Sequence, residues 1–132
     1  MKAFTIQLEN HPGGLARVAE AIAERGINIT AIAGATAGGT GAIGLMTNDD
    51  PGTRSALDAA GIQVQEIEVI GVSLAHQPGT LAGALRRLAN AGVNLELLLP
   101  TDLEGNEVQV AIGVDNIDKA REALGELATA TA

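Results

Sequence analysis

The chain has 132 residues, is 46% hydrophobic, and holds one Phe with no Trp, Tyr or Cys. Its core must be aliphatic, and disulfides, thiolate metal sites and Cys nucleophiles are excluded. A formal net charge of −8 argues against binding a nucleic-acid backbone, which needs clustered Lys and Arg, and against anionic membrane surfaces.

Residues 3–9 alternate, with Phe4, Ile6 and Leu8 on one side and Thr5, Gln7 and Glu9 on the other, which predicts a strand with one buried face. The loop Asn10-His11-Pro12-Gly13-Gly14-Leu15 follows. Leu15, Val18, Ala19, Ile22 and Ala23 then recur at helical spacing, with Arg17, Glu20, Glu24 and Arg25 opposite and Gly26 as the C-terminal cap. Residues 27–35 read as a second strand, Gly38-Gly39-Thr40-Gly41 as a hairpin turn, and residues 42–47 as a third strand. Asp50 and Pro51 read as the cap and first position of a second helix, which carries Leu57 and Ala60 and stops at Gly61. A fourth strand is expected over residues 62–66.

The order then repeats. Pro78 stands 66 residues after Pro12, inside His76-Gln77-Pro78-Gly79-Thr80-Leu81. Ile70, Val72 and Leu74 match Phe4, Ile6 and Leu8; Leu81, Ala84, Leu85, Leu88 and Ala89 match the first helix; Gly92 matches Gly26, and Asn94 matches Asn28. Gly105 matches Gly39 in the hairpin, Val108, Val110 and Ile112 form the third strand, and Asp115 matches Asp49 at the start of a last helix with Ile117, Ala120, Leu124 and Leu127. One offset of 66 throughout is the mark of a duplicated domain, residues 1–66 and 67–132. Residues 128–132 are either a tail or a short last strand, the tail being favoured by their weak pattern.

Both Pro-Gly loops lead from a strand into a helix, where the first backbone N–H groups have no partner inside the helix. Such a start attracts anions, and Gly13, Gly14 and Gly79 let a ligand approach the backbone. An amino-acid carboxylate suits those N–H groups, and its ammonium suits the side-chain oxygen of Asn28 or Asn94, or the carboxylate of Glu96. A single Pro-Gly is ordinarily just a turn; the duplication is what raises it above that.

Other signals fail on context. Gly39-Thr40-Gly41-Ala42-Ile43-Gly44 matches G-x-G-x-x-G, but these glycines sit in a hairpin followed by a strand, where a dinucleotide loop needs a helix. Asn28-Ile29-Thr30 fits the glycosylation pattern but lies in a strand of a chain without a secretion signal. His11 aligns with Gln77 and His76 with Asn10, and neither has a nucleophile partner, so exposed loop histidines are the default. Asp49, Asp50 and Asp115 read as helix caps.

The two loop motifs, leading to Gly26-Ile27-Asn28-Ile29 and to Gly92-Val93-Asn94-Leu95, make the chain resemble a tandem pair of ACT domains, the small ligand-binding regulatory modules of amino-acid metabolism. The resemblance spans essentially the whole chain, and the arrangement looks like the short stand-alone bacterial pairs that carry no catalytic domain. It implies an α+β fold of two ferredoxin-like βαββαβ repeats, antiparallel sheets with helices on one face, the last strand of the second repeat short or absent. Family members commonly bind an amino acid where two ACT domains meet. Carried over, that implicates Asn10, His11, Gly13, Gly14 and Leu15 with Asn28 and Thr30, and His76, Gln77, Gly79, Thr80 and Leu81 with Asn94 and Glu96.

The function expected is that of a non-enzymatic regulatory protein sensing a free amino acid. It would need no cofactor or metal, and would have no nucleic-acid or membrane partner. The alternative is a subunit that docks on an amino-acid biosynthetic enzyme without binding a ligand. A small enzyme on a ferredoxin-like scaffold is a third reading that fold alone leaves open. A homodimer is expected, because a short last strand leaves the edge at residues 70–75 open. The absence of a leader pattern and of an apolar run long enough to span a bilayer makes the expected location cytoplasmic.

Overall fold

The computed structural model of the chain describes residues 1–9 and 12–129. The elements run β1 (Lys2–Glu9), α1 (Gly14–Ala23), β2 (Ile29–Ala37), β3 (Thr40–Thr47), α2 (Asp50–Ala59), β4 (Gln65–Ala75), α3 (Thr80–Asn90), β5 (Leu95–Glu104), β6 (Glu107–Val114) and α4 (Ile117–Leu124), with a 3₁₀ turn at Gly125–Leu127. The chain divides into two compact units, Lys2–Glu66 and a second that begins at Ile67 and includes Met1.

In the first unit β3 lies antiparallel between β1 and β2, with Phe4 opposite Leu45 and Ile32 opposite Leu45 on the other side. Helices α1 and α2 cover the face that carries Phe4 and Ile6, and Val18, Ile22, Ile27, Ile43, Leu45, Leu57 and Ile62 complete a dry cluster. The second unit repeats this, with β6 antiparallel between β4 and β5. Its core gathers Ile70, Val72, Leu74, Ala84, Leu88, Ile112, Ala120 and Leu124. Both cores are aliphatic apart from Phe4, and full burial of each large side chain contributes roughly 1.5–3 kcal/mol.

Helices α1, α2 and α3 end alike. Gly26, Gly61 and Gly92 hold φ of 69°, 72° and 74°, a left-handed conformation that a side chain would strain. The next residue then folds its N–H back, Ile27 to Ile22 O, Ile62 to Leu57 O and Val93 to Leu88 O. Each unit also ties the end of its second helix to its first helix with an arginine. Arg17 donates to Ala60 O, and Arg87 donates to Leu124 O at 3.0 Å. The arginines occupy different turns of their helices, so the same bond is made from non-equivalent positions.

Four sequence expectations change in the structure. The offset of 66 holds from β1 through the start of β5 and then becomes 67: Gly105 (φ 59°) corresponds to Gly38 (φ 60°) rather than to Gly39, and Leu124 to Leu57. The extra residue is absorbed in β5, whose ladder to β6 shifts between Pro100 and Asp102. The helix caps follow the shifted register. Asp49, not Asp50, caps α2, accepting from Gly52 N at 3.0 Å, and Asn116, not Asp115, caps α4, accepting from Lys119 N at 3.1 Å. No separate strand covers residues 62–66; β4 begins at Gln65 and continues to Ala75, so one strand replaces the two expected. Finally, Leu15, Ala23, Leu81 and Ala89, read as helix core positions, are exposed, because the sheet under each helix covers only its middle turns.

Beyond the 3₁₀ turn, Ala128 bridges Val72 in antiparallel sense and Thr129 N donates to Gly71 O at 2.7 Å. Part of the edge that the sequence left open is thus covered by the chain itself; residues 130–132 lie outside the described residues.

Candidate functional site

Two equivalent loops carry the candidate residues. Asn10 and His11 lie outside the described residues. From Pro12 on, Gly13 takes φ 88° and ψ −9° as the residue before α1, and Gly79 takes φ 90° and ψ −12° before α3. Neither helix has a side-chain cap. Arg17 N donates to Gly13 O and Gly83 N to Gly79 O, the first turns of the two helices. This leaves the N–H groups of Gly14, Leu15 and Ala16, and of Leu81 and Ala82, without a protein partner among the described residues. Leu15 and Leu81, at 46% and 39% exposure, stand beside them as apolar walls.

The second loop satisfies part of itself. There Thr80 Oγ1 donates to Ala75 O at 2.7 Å and to Gln77 O at 3.1 Å, Thr80 N reaches Gln77 O at 3.4 Å, and His76 N donates to Asn106 O at 2.6 Å. Gly14 stands where Thr80 does and has no hydroxyl to do this.

Asn28 and Asn94 precede β2 and β5. Their backbones are fixed by paired bonds: Asn28 N to Asn48 Oδ1 at 3.1 Å with Asn48 N to Asn28 O at 3.1 Å, and Asn94 N to Asp115 Oδ1 at 3.0 Å with Asp115 N to Asn94 O at 3.2 Å. This is the role the structure gives Asp115, and sequence reading missed Asn48 and Asp115 as the residues that position the two candidate asparagines. Among the described residues the Asn28 and Asn94 carboxamides make no hydrogen bond, and they sit in exposed positions with Thr30 and Glu96 nearby along their strands.

The register settles one geometric question. Glu9 pairs with Thr40, whereas Ile29 pairs with Thr47, seven residues farther along β3. At ~3.3 Å per residue that is about 23 Å. The Pro-Gly loop and Asn28 thus lie at opposite ends of one sheet. The second unit is the same, with Ala75 opposite Glu107 and Leu95 opposite Val114. No single amino acid can touch Gly13 and Asn28 of the same unit. A sequence reader sees the loop and the asparagine 18 residues apart and cannot see that a helix carries the chain from one end of the sheet to the other.

Among the described residues no cluster of His, Asp or Glu could hold a metal ion, and no helix is long and apolar enough to cross a membrane.

Comparison with known proteins fits this architecture. A protein from Bacteroides thetaiotaomicron of known structure is 32% identical, with a TM-score of 0.78 over 95% of this chain and 86% of that one. The regulatory subunit of aspartate kinase from Thermus thermophilus, in its ligand-free form, is 20% identical with a TM-score of 0.66 over 96% of this chain and 90% of that one, and shares the fold. The aspartate kinase of Clostridium acetobutylicum, 14% identical with a TM-score of 0.61, contains the same fold over 93% of this chain and 32% of its own. No protein of curated function matches. Residues 1–128 match the family described as an ACT domain pair, and the chain belongs to that family.

Proposed function

We propose that this chain is a non-catalytic, cytoplasmic regulatory protein of two ACT modules, residues 1–66 and 67–132, that binds a free α-amino acid between two copies of itself. The observation that carries the reading is the pairing of N–H groups at Gly14, Leu15 and Ala16, without a protein partner among the described residues, with an Asn28 carboxamide that is likewise unengaged among them, at the far end of the sheet. The N–H groups suit a carboxylate, and the carboxamide oxygen suits an ammonium.

An antiparallel dimer resolves the 23 Å separation. β2 pairs only with β3, leaving its other edge unpaired in the sheet order, and every residue of Ile29–Ala37 is exposed or half-exposed. It carries no charge and no Pro along its length. When β2 of one copy lies antiparallel to β2 of another, the start of one strand meets the end of the other. Asn28 then reaches the end of the joint sheet where the partner copy's Pro-Gly loop opens. This replaces the edge at residues 70–75 as the dimer surface, since Ala128 and Thr129 already cover part of that edge. A ligand bridging two copies favours the arrangement that holds both halves of its site, and so shifts an assembly equilibrium.

The test is titration calorimetry against the twenty amino acids, then against the methyl ester of whichever binds. A charged hydrogen bond contributes roughly 1.5–3 kcal/mol, so the ester should bind at least about tenfold more weakly. Asn28→Leu should weaken binding without unfolding an exposed site. Equal affinity for acid and ester would overturn carboxylate anchoring. If no amino acid binds, the chain is better read as a subunit that docks on a biosynthetic enzyme, a reading supported by the shared fold with the aspartate kinase regulatory subunit.

A further inference from the structure

The face of the first unit's sheet that points away from the helices is hollow. Thr5 and Gln7 alternate with the core residues Phe4 and Ile6, so they lie on this open face. With Thr40, Ala42, Gln63 and Gln65 they line a concavity of about 450 Å³, and an adjoining one of about 420 Å³ shares Gln7, Thr40 and Gln63. The hollow exists because residues 62–64 do not form a strand and because Ala42, opposite Gln7 on β3, is small.

The second unit shows what closure of this place looks like. Ser73 on β4 is opposite Gln109 on β6, as Gln7 is opposite Ala42. Gln109 Nε2 donates to Ser73 Oγ at 2.9 Å, and Ser73 Oγ donates to Glu107 Oε2 at 3.2 Å. The polar groups there satisfy one another. In the first unit Gln7, Gln63 and Gln65 make no side-chain hydrogen bond among the described residues.

We propose that this hollow is a second binding site, separate from the Pro-Gly loops, for an uncharged small molecule bearing an amide, either a carboxamide or a cyclic amide. Its volume is in the range of small-molecule sites. Among the described side chains its lining has no charged residue, in a chain that is 18% charged, so an ionic ligand finds no counter-charge among them. Three carboxamides and two threonine hydroxyls would go unpaired against an apolar ligand. A carboxamide presents a donor and an acceptor side by side, and an amide edge answers both at once.

The probes are nicotinamide and uracil, with nicotinate as the matched charged control. Titrated into the intact ¹⁵N-labelled protein, nicotinamide or uracil should shift the side-chain NH₂ resonances of Gln7, Gln63 and Gln65 saturably. Nicotinate should bind at least tenfold more weakly. Ala42→Gln, which copies the residue of the second unit into an exposed position, should abolish the shifts while leaving the other resonances in place. Gln63→Ala, also exposed, should weaken them at least tenfold and serves if Ala42→Gln perturbs the fold. The proposal is overturned if neither uncharged probe moves these resonances up to its solubility limit, if nicotinate binds as well as nicotinamide, or if filling the hollow changes nothing. Amino-acid binding reports through the amides at Gly13 and Gly14, so failure of one site leaves the other standing.

Discussion

β2 and β5 occupy the same place in their repeats and defend their outer edges differently. Ile29–Ala37 is built from Ile, Thr, Ala and Gly only, with a ladder shift confined to its first residues. Leu95–Glu104 carries Glu96, Pro100 and Asp102, and its ladder shifts twice, at residues 95–97 and 100–102. Charges, Pro and bulges are the devices by which edge strands avoid pairing. β5 has all three and β2 has only the terminal bulge. The two repeats thus share the fold while β2 presents an uncharged outer edge and β5 a guarded one. The inserted residue at the Pro100–Asp102 bulge is part of that guard, and it is also what moved the later offset from 66 to 67.

The sharpest way to break this comparison is to move charge onto β2. In the proposed dimer, Ala33→Lys should raise the dissociation constant at least tenfold, about 1.4 kcal/mol, because two copies of the strand would bring like charges together across the joint ladder. Asp102→Lys on β5 should leave assembly unchanged. Analytical sedimentation of the two variants decides; equal behaviour would mean the edges do not differ in the way their residues suggest.

Much of this was legible in the sequence because period-2 and helical spacing are local. Phe4, Ile6 and Leu8, Val18 and Ile22, and the turn glycines at 26, 61 and 92 each report their own element, and the duplicate confirms them. What escaped is non-local. The extra residue in β5 leaves no gap in the pattern, since a bulge hides it within one strand and the hydrophobic positions simply resume one later. The fusion of two expected strands into β4 escaped because the alternation of Glu66, Ile67, Glu68 and Val69 carries no stop signal near Ile67. For the site, the Pro-Gly loops and the two asparagines were visible as motifs. Their placement at opposite ends of a sheet was not, because it depends on which strands pair.

A smaller effect tests whether the shifted register is real. Asp49 and Asn116 differ in type and stand 67 residues apart, yet each accepts a bond from the residue three positions on, Gly52 N and Lys119 N. Asp49→Ala and Asn116→Ala should each cost about 1 kcal/mol, read by urea unfolding followed in the far-ultraviolet, since there is no Trp to report. Asp115→Ala should act differently. It releases Asn94 N rather than a helix start, so its effect should appear as faster amide exchange at Asn94 with α4 retained.

The smallest expected difference is electrostatic and separates the two arginine ties. Among the described residues Arg17 engages a carbonyl at Ala60, which does not titrate. Arg87 engages Leu124 O and also Glu126 Oε1 at 3.1 Å. Its hydrogen bond, helped by the Glu126 backbone N–H and by its charge, holds the Glu126 carboxyl below the usual value of 4.5. A carboxyl depressed in the folded state contributes stability that is present above its unfolded value and fades as pH falls through its folded value. Glu126 is fully exposed, so solvent keeps the contribution small. An NMR titration should place its midpoint under 4.5, and Arg87→Met should raise it toward that value. Arg17→Met should leave the Glu126 midpoint where it was. A midpoint unmoved by Arg87→Met would show that the ion pair does not persist in solution, and the two ties would then be equivalent carbonyl caps in both units.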